Sequence, residues 1–329
     1  MNRIVIRTLG GKNIGYGHYF RCLSLAKAIK SIDENVDIVF LINEDLDSLI
    51  QTTDFKFIIE NDLNKDIDIV KSLEIDLFIL DSYLGNDEYL ESIKEKTKLM
   101  IIDDNNDIYD SSIPDIIYNG NIHAESLDYK YVERQMRLFG PKYLIMKEEY
   151  WSEDTPLLSN DGVLVTTGGT DEYGIALSII DTIKELDIKI KVIIGPGYKD
   201  DYIKRIEKIK TINIELIYKP SSLKEYINSS KIVITAGGST LYEVLSQKSI
   251  PIVFSMVDNQ DLVCRTLEKK GVPYLGKYPN IDYGRLGRLI ELLQNEEIDE
   301  YEKVHNLVDG KGALTTANIL ISQINKQEK

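Results

Sequence analysis

The sequence predicts an α/β protein of two doubly wound domains that face each other across a cleft. Three observations predict it. Short apolar or β-branched runs alternate with segments of helical periodicity along most of the 329 residues, the pattern of parallel sheets covered on both faces. The rhythm breaks once, between about residues 107 and 161, and then restarts. In both halves the strand-like runs end in glycines or polar side chains, where open parallel sheets carry their sites. This divides the chain into an N-terminal domain at 1–140, a linker at 141–160 and a C-terminal domain at 161–329. The last helix is left free to pack back across the first domain.

In the first half, strands are expected at Ile4–Ile6, Val36–Ile42, Phe55–Ile59, Leu77–Leu80 and Leu99–Ile102, with Ile116–Tyr118 as the last. Helices are expected from near His18, over Glu44–Gln51, Lys65–Leu73 and Asp87–Glu95. His18, Asp81, Tyr83, Asp103 and Asp104 gather at the strand ends. The interrupting segment holds Pro114, Pro141, Pro156 and the single tryptophan, Trp151. In the second half, strands are expected at Gly162–Thr167, Ile190–Ile194, Asn213–Tyr218, Lys231–Thr235 and Ile250–Phe254. Ser222 suits a helix N-cap, a helix follows Thr240 to Gln247, and the last runs over Leu314–Asn325.

Composition narrows the function. A net charge of −15 argues against a general binder of nucleic acid or anionic membrane. No run of about 18 apolar residues is present, so no membrane span is expected. The chain enters a strand directly without a signal-peptide core, which reads as cytoplasmic. Cys22 and Cys264 share no metal-ligand spacing, and Cys22 suits a buried free thiol on the first helix. His123 and His305 lack a motif and read as surface residues. The Asp45-Leu46-Asp47 and Asp66-Ile67-Asp68 pairs read as solvated helix surface, and Asp103-Asp104 as better placed for polar work.

Two stretches carry chemistry. Gly10 to Gly17 forms a glycine-rich loop between the first strand and the first helix, with His18 at its mouth. Glycines let backbone N–H groups approach an anion, and a helix N-terminus adds its dipole. An imidazole there exchanges a proton at little cost near neutral pH. Neither the dinucleotide fingerprint nor a Walker pattern is satisfied, and a tight turn bearing a surface histidine is the plain alternative. The second stretch is Thr235-Ala236-Gly237-Gly238-Ser239-Thr240-Leu241-Tyr242-Glu243. A strand stops at a Gly-Gly turn, and Ser239 and Thr240 open a helix whose free N–H groups and hydroxyls suit a diphosphate. Glu243, one turn on and facing as Ser239 does, suits two ribose hydroxyls; a first-turn acid answering the helix dipole is its alternative. Asn259 and Gln260, after another apolar strand, offer amides to a polyhydroxylated or acetamido sugar.

On these residues the chain resembles a known family. Gly15-Tyr16-Gly17-His18-x-x-Arg21-Cys22-Leu23-x-Leu25-Ala26 is similar to the opening motif of the UDP-sugar hydrolases of pseudaminic acid biosynthesis, the PseG or SpsG-like enzymes. Asp81-Ser82-Tyr83, Ile102-Asp103-Asp104, Gly168-Gly169-Thr170-Asp171, Ala236 to Glu243 and Asn259-Gln260 match further family motifs in order, from about residue 3 to 320. A more distant resemblance is to the peptidoglycan N-acetylglucosaminyltransferase MurG. Arg21 stands where MurG-like chains tend to have proline, and Ser249 where both families usually have glycine.

The resemblance implies a GT-B-like fold of two Rossmann-like domains. It implies hydrolysis of UDP-2,4-diacetamido-2,4,6-trideoxy-β-L-altropyranose, or a closely related UDP-amino sugar, to UDP and free sugar. His18 would be the base for water attack at the anomeric carbon. Gly15, Gly17, Arg21, Tyr83, Gly168, Gly169, Asn259 and Gln260 would contact substrate, and Gly237, Gly238, Ser239, Thr240 and Glu243 the nucleotide. Neither metal nor cofactor is implied. A glycosyltransferase of MurG type and a non-catalytic nucleotide-sugar binder are the competing readings. Oligomeric state, sugar epimer and nucleobase stay open at this level.

Overall fold

The computed structural model describes residues 2–12, 14–152, 161–295 and 301–325. The chain divides into two compact units, Met1–Trp151 with Lys311–Lys329, and Ser152–Gly310. Each is built on one parallel sheet.

In the first unit the described strands are β1 (Arg3–Thr8), β2 (Asp37–Ile42), β3 (Lys56–Ile59), β4 (Leu77–Asp81), β5 (Lys98–Ile102), β6 (Ile116–Asn119) and β7 (Met136–Phe139). Their order is β3-β2-β1-β4-β5-β6-β7, with every neighbouring pair parallel. The alternation of a strand decides what each face buries. Ile4, Ile6, Phe40 and Ile79 face the helix Gly17–Ile32, while Val5, Leu41, Phe78 and Leu80 face Leu90 and Ile93. The helix Gly17–Ile32 buries Cys22, Leu25, Ala26 and Ile29, the i, i+3, i+4, i+7 spacing of one helical face. Against it packs the helix Gly312–Asn325, through Ala313, Ala317, Leu320 and Ile324. The C-terminal stretch therefore belongs to this unit.

In the second unit the described strands are β8 (Val163–Thr166), β9 (Ile190–Ile194), β10 (Ile214–Tyr218), β11 (Ile232–Ala236), β12 (Ile250–Ser255) and β13 (Tyr274–Lys277). Their order is β10-β9-β8-β11-β12-β13, again all parallel. Relabelled from its own first strand this is 3-2-1-4-5-6, the doubly wound order. The first sheet repeats it with one more strand. Each sheet therefore has one switch point, between β1 and β4 and between β8 and β11.

Several expectations need correction. Ile116–Tyr118 is not the last strand of the first unit, because β7 pairs with β6 in parallel. Met136-Arg137-Leu138-Phe139 is a short edge strand buried mainly at Leu138, so its apolar signal is weak. The helix expected over Glu44–Gln51 is a 3₁₀ turn and a single helical turn, Asp47–Ile50. The break between units falls after Trp151: 141–151 belongs to the first and Ser152 to the second, and the remaining linker residues 153–160, Pro156 among them, lie outside the described residues.

Three residues read as surface are buried. Asp66 is fully enclosed and bonds Arg7 Nε at 2.8 Å and the Tyr89 hydroxyl at 2.8 Å. Burial pushes its carboxyl up to about 6 against the pull of Arg7. His123 and His305 are both buried, and burial lowers the affinity of each ring for a proton. His305 Nε2 donates to the Ser249 carbonyl at 3.1 Å, and Ser249 Oγ donates to the Ile227 carbonyl at 2.9 Å. The serine at this turn thus anchors two neighbouring segments.

Candidate functional site

At the first switch point the sheet delivers side chains to one edge. Thr8 and Asp81 are register partners at the ends of β1 and β4. The loop after β1 closes on itself: Gly15 N–H donates to Gly11 O at 2.7 Å and Gly11 N–H to Gly15 O at 3.2 Å. Gly11 and Gly15 have φ of +135° and +81°, backbone that side chains rarely adopt. The Asn43 side chain pins the loop base, accepting from Gly10 N–H and donating to Gly10 O. Gly17 then opens the helix with no side-chain cap, and His18 and Arg21 lie one turn apart on it.

Asp81 shares the β4 face of Ile79, so its carboxylate meets this helix. It is fully buried. Oδ1 bonds His18 Nδ1 at 2.6 Å and Arg21 Nη2 at 2.7 Å; Oδ2 bonds Arg21 Nε at 2.9 Å and the Cys22 thiol at 3.5 Å. Burial works to raise this carboxyl, but the Arg21 charge and the hydrogen bonds of His18 and Arg21 outweigh it and hold it below the ordinary range. An ionised carboxylate only accepts hydrogen bonds. Nδ1 of His18 must therefore carry the proton, which leaves Nε2 as the basic nitrogen. Among the described residues Nε2 has no hydrogen-bond partner.

Asp104, two residues beyond β5, lies on the same face. It accepts from Arg21 Nη1 at 2.8 Å, Arg21 Nη2 at 3.1 Å, the Tyr83 hydroxyl at 2.8 Å and Asn121 Nδ2 at 3.1 Å. Burial again opposes ionisation, and Arg21 wins, setting Asp104 at about 2. The Tyr83 ring meets the His18 ring edge-on, 4.7 Å between centroids at 89°. Burial, then the Asp104 charge, raises the Tyr83 hydroxyl so that it stays protonated. Asp103 points away and caps its own loop, accepting from Asn105 and Asn106 N–H at 2.9 and 2.7 Å.

The second switch point is built differently. After β8, Gly168 takes φ of +94° and Gly169 O accepts the Gly197 N–H at 2.9 Å. Asp171 closes the following helix, Ile175–Ile183, by accepting from Ile175 and Ala176 N–H at 2.9 and 2.8 Å. That terminus is occupied by the protein itself. After β11 the helix Ser239–Ser246 starts at Gly238 with no side-chain cap. Ser239 is exposed, Thr240 half-buried and Glu243 buried. A Cβ on Gly237 would fall 2.5 Å from Cys264 Sγ and 2.7 Å from Gln260 O; the strand end is pressed against the helix Asp258–Glu268. Asn259 and Gln260 are in the first turn of that helix. Gln260 Oε1 accepts the Met256 N–H at 3.0 Å, and its Nε2 lies 3.9 Å from where a Gly238 Cβ would be.

His18, Arg21 and Tyr83 are thus brought together in the first unit. Gly168, Gly169, Gly237–Thr240, Glu243, Asn259 and Gln260 line the carboxyl edge of the second sheet. The sequence reading gathers Asp81 and Asp104 with His18 at the strand ends but assigns neither a role in the site. Their signal is position: Asp81 ends β4 and Asp104 lies two residues beyond β5, both on the face of the first helix. Among the described residues no cluster of three or more His, Cys, Asp or Glu could hold a metal ion, and no helix is long and apolar enough to cross a membrane.

No family model matches the chain. It is 28% identical over 270 residues to an uncharacterised protein, MJ1062, of Methanocaldococcus jannaschii; the match covers 76% of this chain but only 55% of that protein. It is 26% identical over 338 residues to the spore coat polysaccharide biosynthesis protein SpsG of Bacillus subtilis, covering 94% of this chain and 95% of the relative. Among solved structures it is similar to MurG of Acinetobacter baumannii, with TM-score 0.64, 11% identity and 99% and 100% of the two chains covered. Arabidopsis thaliana UGT89C1 complexed with UDP-L-rhamnose matches with TM-score 0.72, 10% identity and 98% and 99% coverage. At these identities the structural likeness carries the fold alone, and the fold is that of the GT-B glycosyltransferases.

Proposed function

We propose that this protein is a nucleotide-sugar hydrolase of polysaccharide or nonulosonate biosynthesis. In this reading it releases UDP from UDP-2,4-diacetamido-2,4,6-trideoxy-β-L-altropyranose or a closely related UDP-amino sugar. The observation that carries the reading is the His18–Asp81 pair at the first switch point. Asp81 holds the proton on Nδ1, so Nε2 is the nitrogen that takes a proton from water attacking the anomeric carbon. Such a base contributes ~10²–10⁴-fold. The departing diphosphate needs its growing charge met. The uncapped helix start would supply the N–H groups and hydroxyls of Ser239 and Thr240 for that, with the Gln260 amide beside Gly238. Glu243 would take the ribose hydroxyls. The names of SpsG and of the UDP-L-rhamnose complex support sugar-nucleotide chemistry.

A MurG-type transferase is the second reading, favoured by the likeness to MurG. The experiment that separates them is UDP release from a panel of UDP-amino sugars without acceptor. Release at an unchanged rate when acceptors are added supports hydrolysis; release only with an acceptor makes the protein a transferase. In the hydrolase scheme chelation leaves the rate unchanged. Activity lost to chelator and restored by a divalent ion would overturn the scheme.

A further inference from the structure

Two carboxylates, Asp81 and Asp104, end up on one face of the sheet within reach of one cation. Left together without it, they would repel and one would hold a proton. Arg21 lies between them. Its Nε and Nη2 bond Asp81 at 2.9 and 2.7 Å, and its Nη1 and Nη2 bond Asp104 at 2.8 and 3.1 Å. These four bonds leave one guanidinium N–H uncommitted. A guanidinium bound in this way has little left to offer a sugar or a diphosphate.

The second arm starts at Asp104. It takes the Tyr83 hydroxyl at 2.8 Å, and the Tyr83 ring stands edge-on to the His18 ring at 4.7 Å. His18 is therefore held twice, at Nδ1 by Asp81 and at the ring by Tyr83, and Arg21 ties both holders together. We propose that Arg21, Asp104 and Tyr83 are positioning residues for His18, a clamp that fixes its tautomer and ring orientation. Arg21 in particular is not a substrate ligand. The planar fork is what the arrangement requires, because an ammonium cannot bond both oxygens of two carboxylates in one plane. The clamp rests on the reading of His18 as the base.

The test uses Arg21→Lys, Asp104→Asn and Tyr83→Phe in the full chain, with ¹⁵N-labelled histidine. Only three histidines are present, so His18 is assigned by loss of its signals in His18→Ala. Wild type should show His18 with the proton on Nδ1. Arg21→Lys and Asp104→Asn should mix the tautomers, and Tyr83→Phe should shift the ring signals with less mixing. With a turned-over UDP-sugar, Arg21→Lys should lower kcat up to roughly 100-fold, the scale of an ångström of misplacement, with KM within about twofold. Tyr83→Phe, which deletes one hydroxyl at a half-exposed position, should cost roughly tenfold. Ring signals unchanged in all three variants would overturn the clamp. So would a raised KM with intact kcat in Arg21→Lys, which would make Arg21 a substrate contact. If wild type turns over no UDP-sugar, the tautomer signals still decide the clamp, and only the reaction assignment falls.

Discussion

The two sheets share one strand order yet carry opposite chemistry at the same topological place. At the β1/β4 switch point the edge is charged: His18, Asp81, Arg21 and Asp104 form one hydrogen-bonded group. At the β8/β11 switch point the edge is made of glycines, hydroxyls, amides and an uncapped helix start. A charged group set in a fixed lattice of partners suits proton transfer, because its protonation state and aim are both decided in advance. Backbone N–H groups at a helix start suit an anion, because the helix leaves them without an internal partner. The comparison teaches that topology fixes where each unit can work, while the residues past each strand end decide at what.

The largest expected effect tests the charged edge. His18→Ala should lower turnover by ~10²–10⁴-fold, measured as single-turnover UDP release. UDP affinity by calorimetry should stay within about twofold, since the proposed nucleotide contacts are on the other unit. Equal rates in the two proteins would remove the base and the contrast with it.

Next comes the glycine edge. Gly237→Ala puts a methyl 2.7 Å from the Gln260 backbone oxygen and 2.5 Å from Cys264 Sγ. The strand end or the helix Asp258–Glu268 must shift, at about 1–3 kcal/mol. Thermal unfolding should show the loss, and UDP binding should weaken while the His18 ring signals of the first unit stay in place.

How much of this was legible in the sequence follows the same division. Strand–helix rhythm and glycine punctuation are local, so the elements around Ile4–Ile6, Leu77–Leu80 and Lys231–Thr235 could be read directly. Two local signals misled. Asp66-Ile67-Asp68 has the look of helix surface, yet Asp66 is enclosed because Arg7, 59 residues earlier, faces inward on β1. β7 was missed because an edge strand buries little and carries Arg137. The clamp was illegible for another reason: Arg21 meets Asp81 and Asp104 at separations of 60 and 83 residues. Such contacts come from strand order, which a single sequence does not print. What could be read was that Asp81 ends a strand and that Asp104 lies two residues beyond one.

The charged edge also has a signature in acid. Asp104 at about 2 is below its ordinary 3.8, so its ionised form is favoured by folding. Its contribution is complete above pH ~4 and is lost as pH falls toward 2, on the order of 2 kcal/mol at most. Asp66 runs the other way: raised to about 6, it makes the folded state easier to protonate between pH 6 and 4. Stability measured by denaturant from pH 5 to 2 should therefore fall more steeply in wild type than in Asp104→Asn. Parallel curves would mean that the Arg21–Asp104 bond adds nothing to the fold.

The smallest effect asks whether the glycine edge reads the ribose. Glu243 is buried on the helix that follows β11, four residues after the exposed Ser239 and on the same side of it. If its carboxylate accepts both ribose hydroxyls, Glu243→Ala should weaken UDP by roughly tenfold, the scale of hydrogen bonds to a charged group. Loss of affinity alone would not identify the ribose, since a truncated buried acid can also disturb its helix. The deoxy analogue separates the two causes. In wild type 2′-deoxy-UDP should bind more weakly than UDP, and in Glu243→Ala the two ligands should bind alike, because the carboxylate and the hydroxyl report one interaction. A penalty for the missing hydroxyl that survives in the variant would put the ribose contact on another residue, leaving Glu243 as a support for the helix proposed to meet the diphosphate.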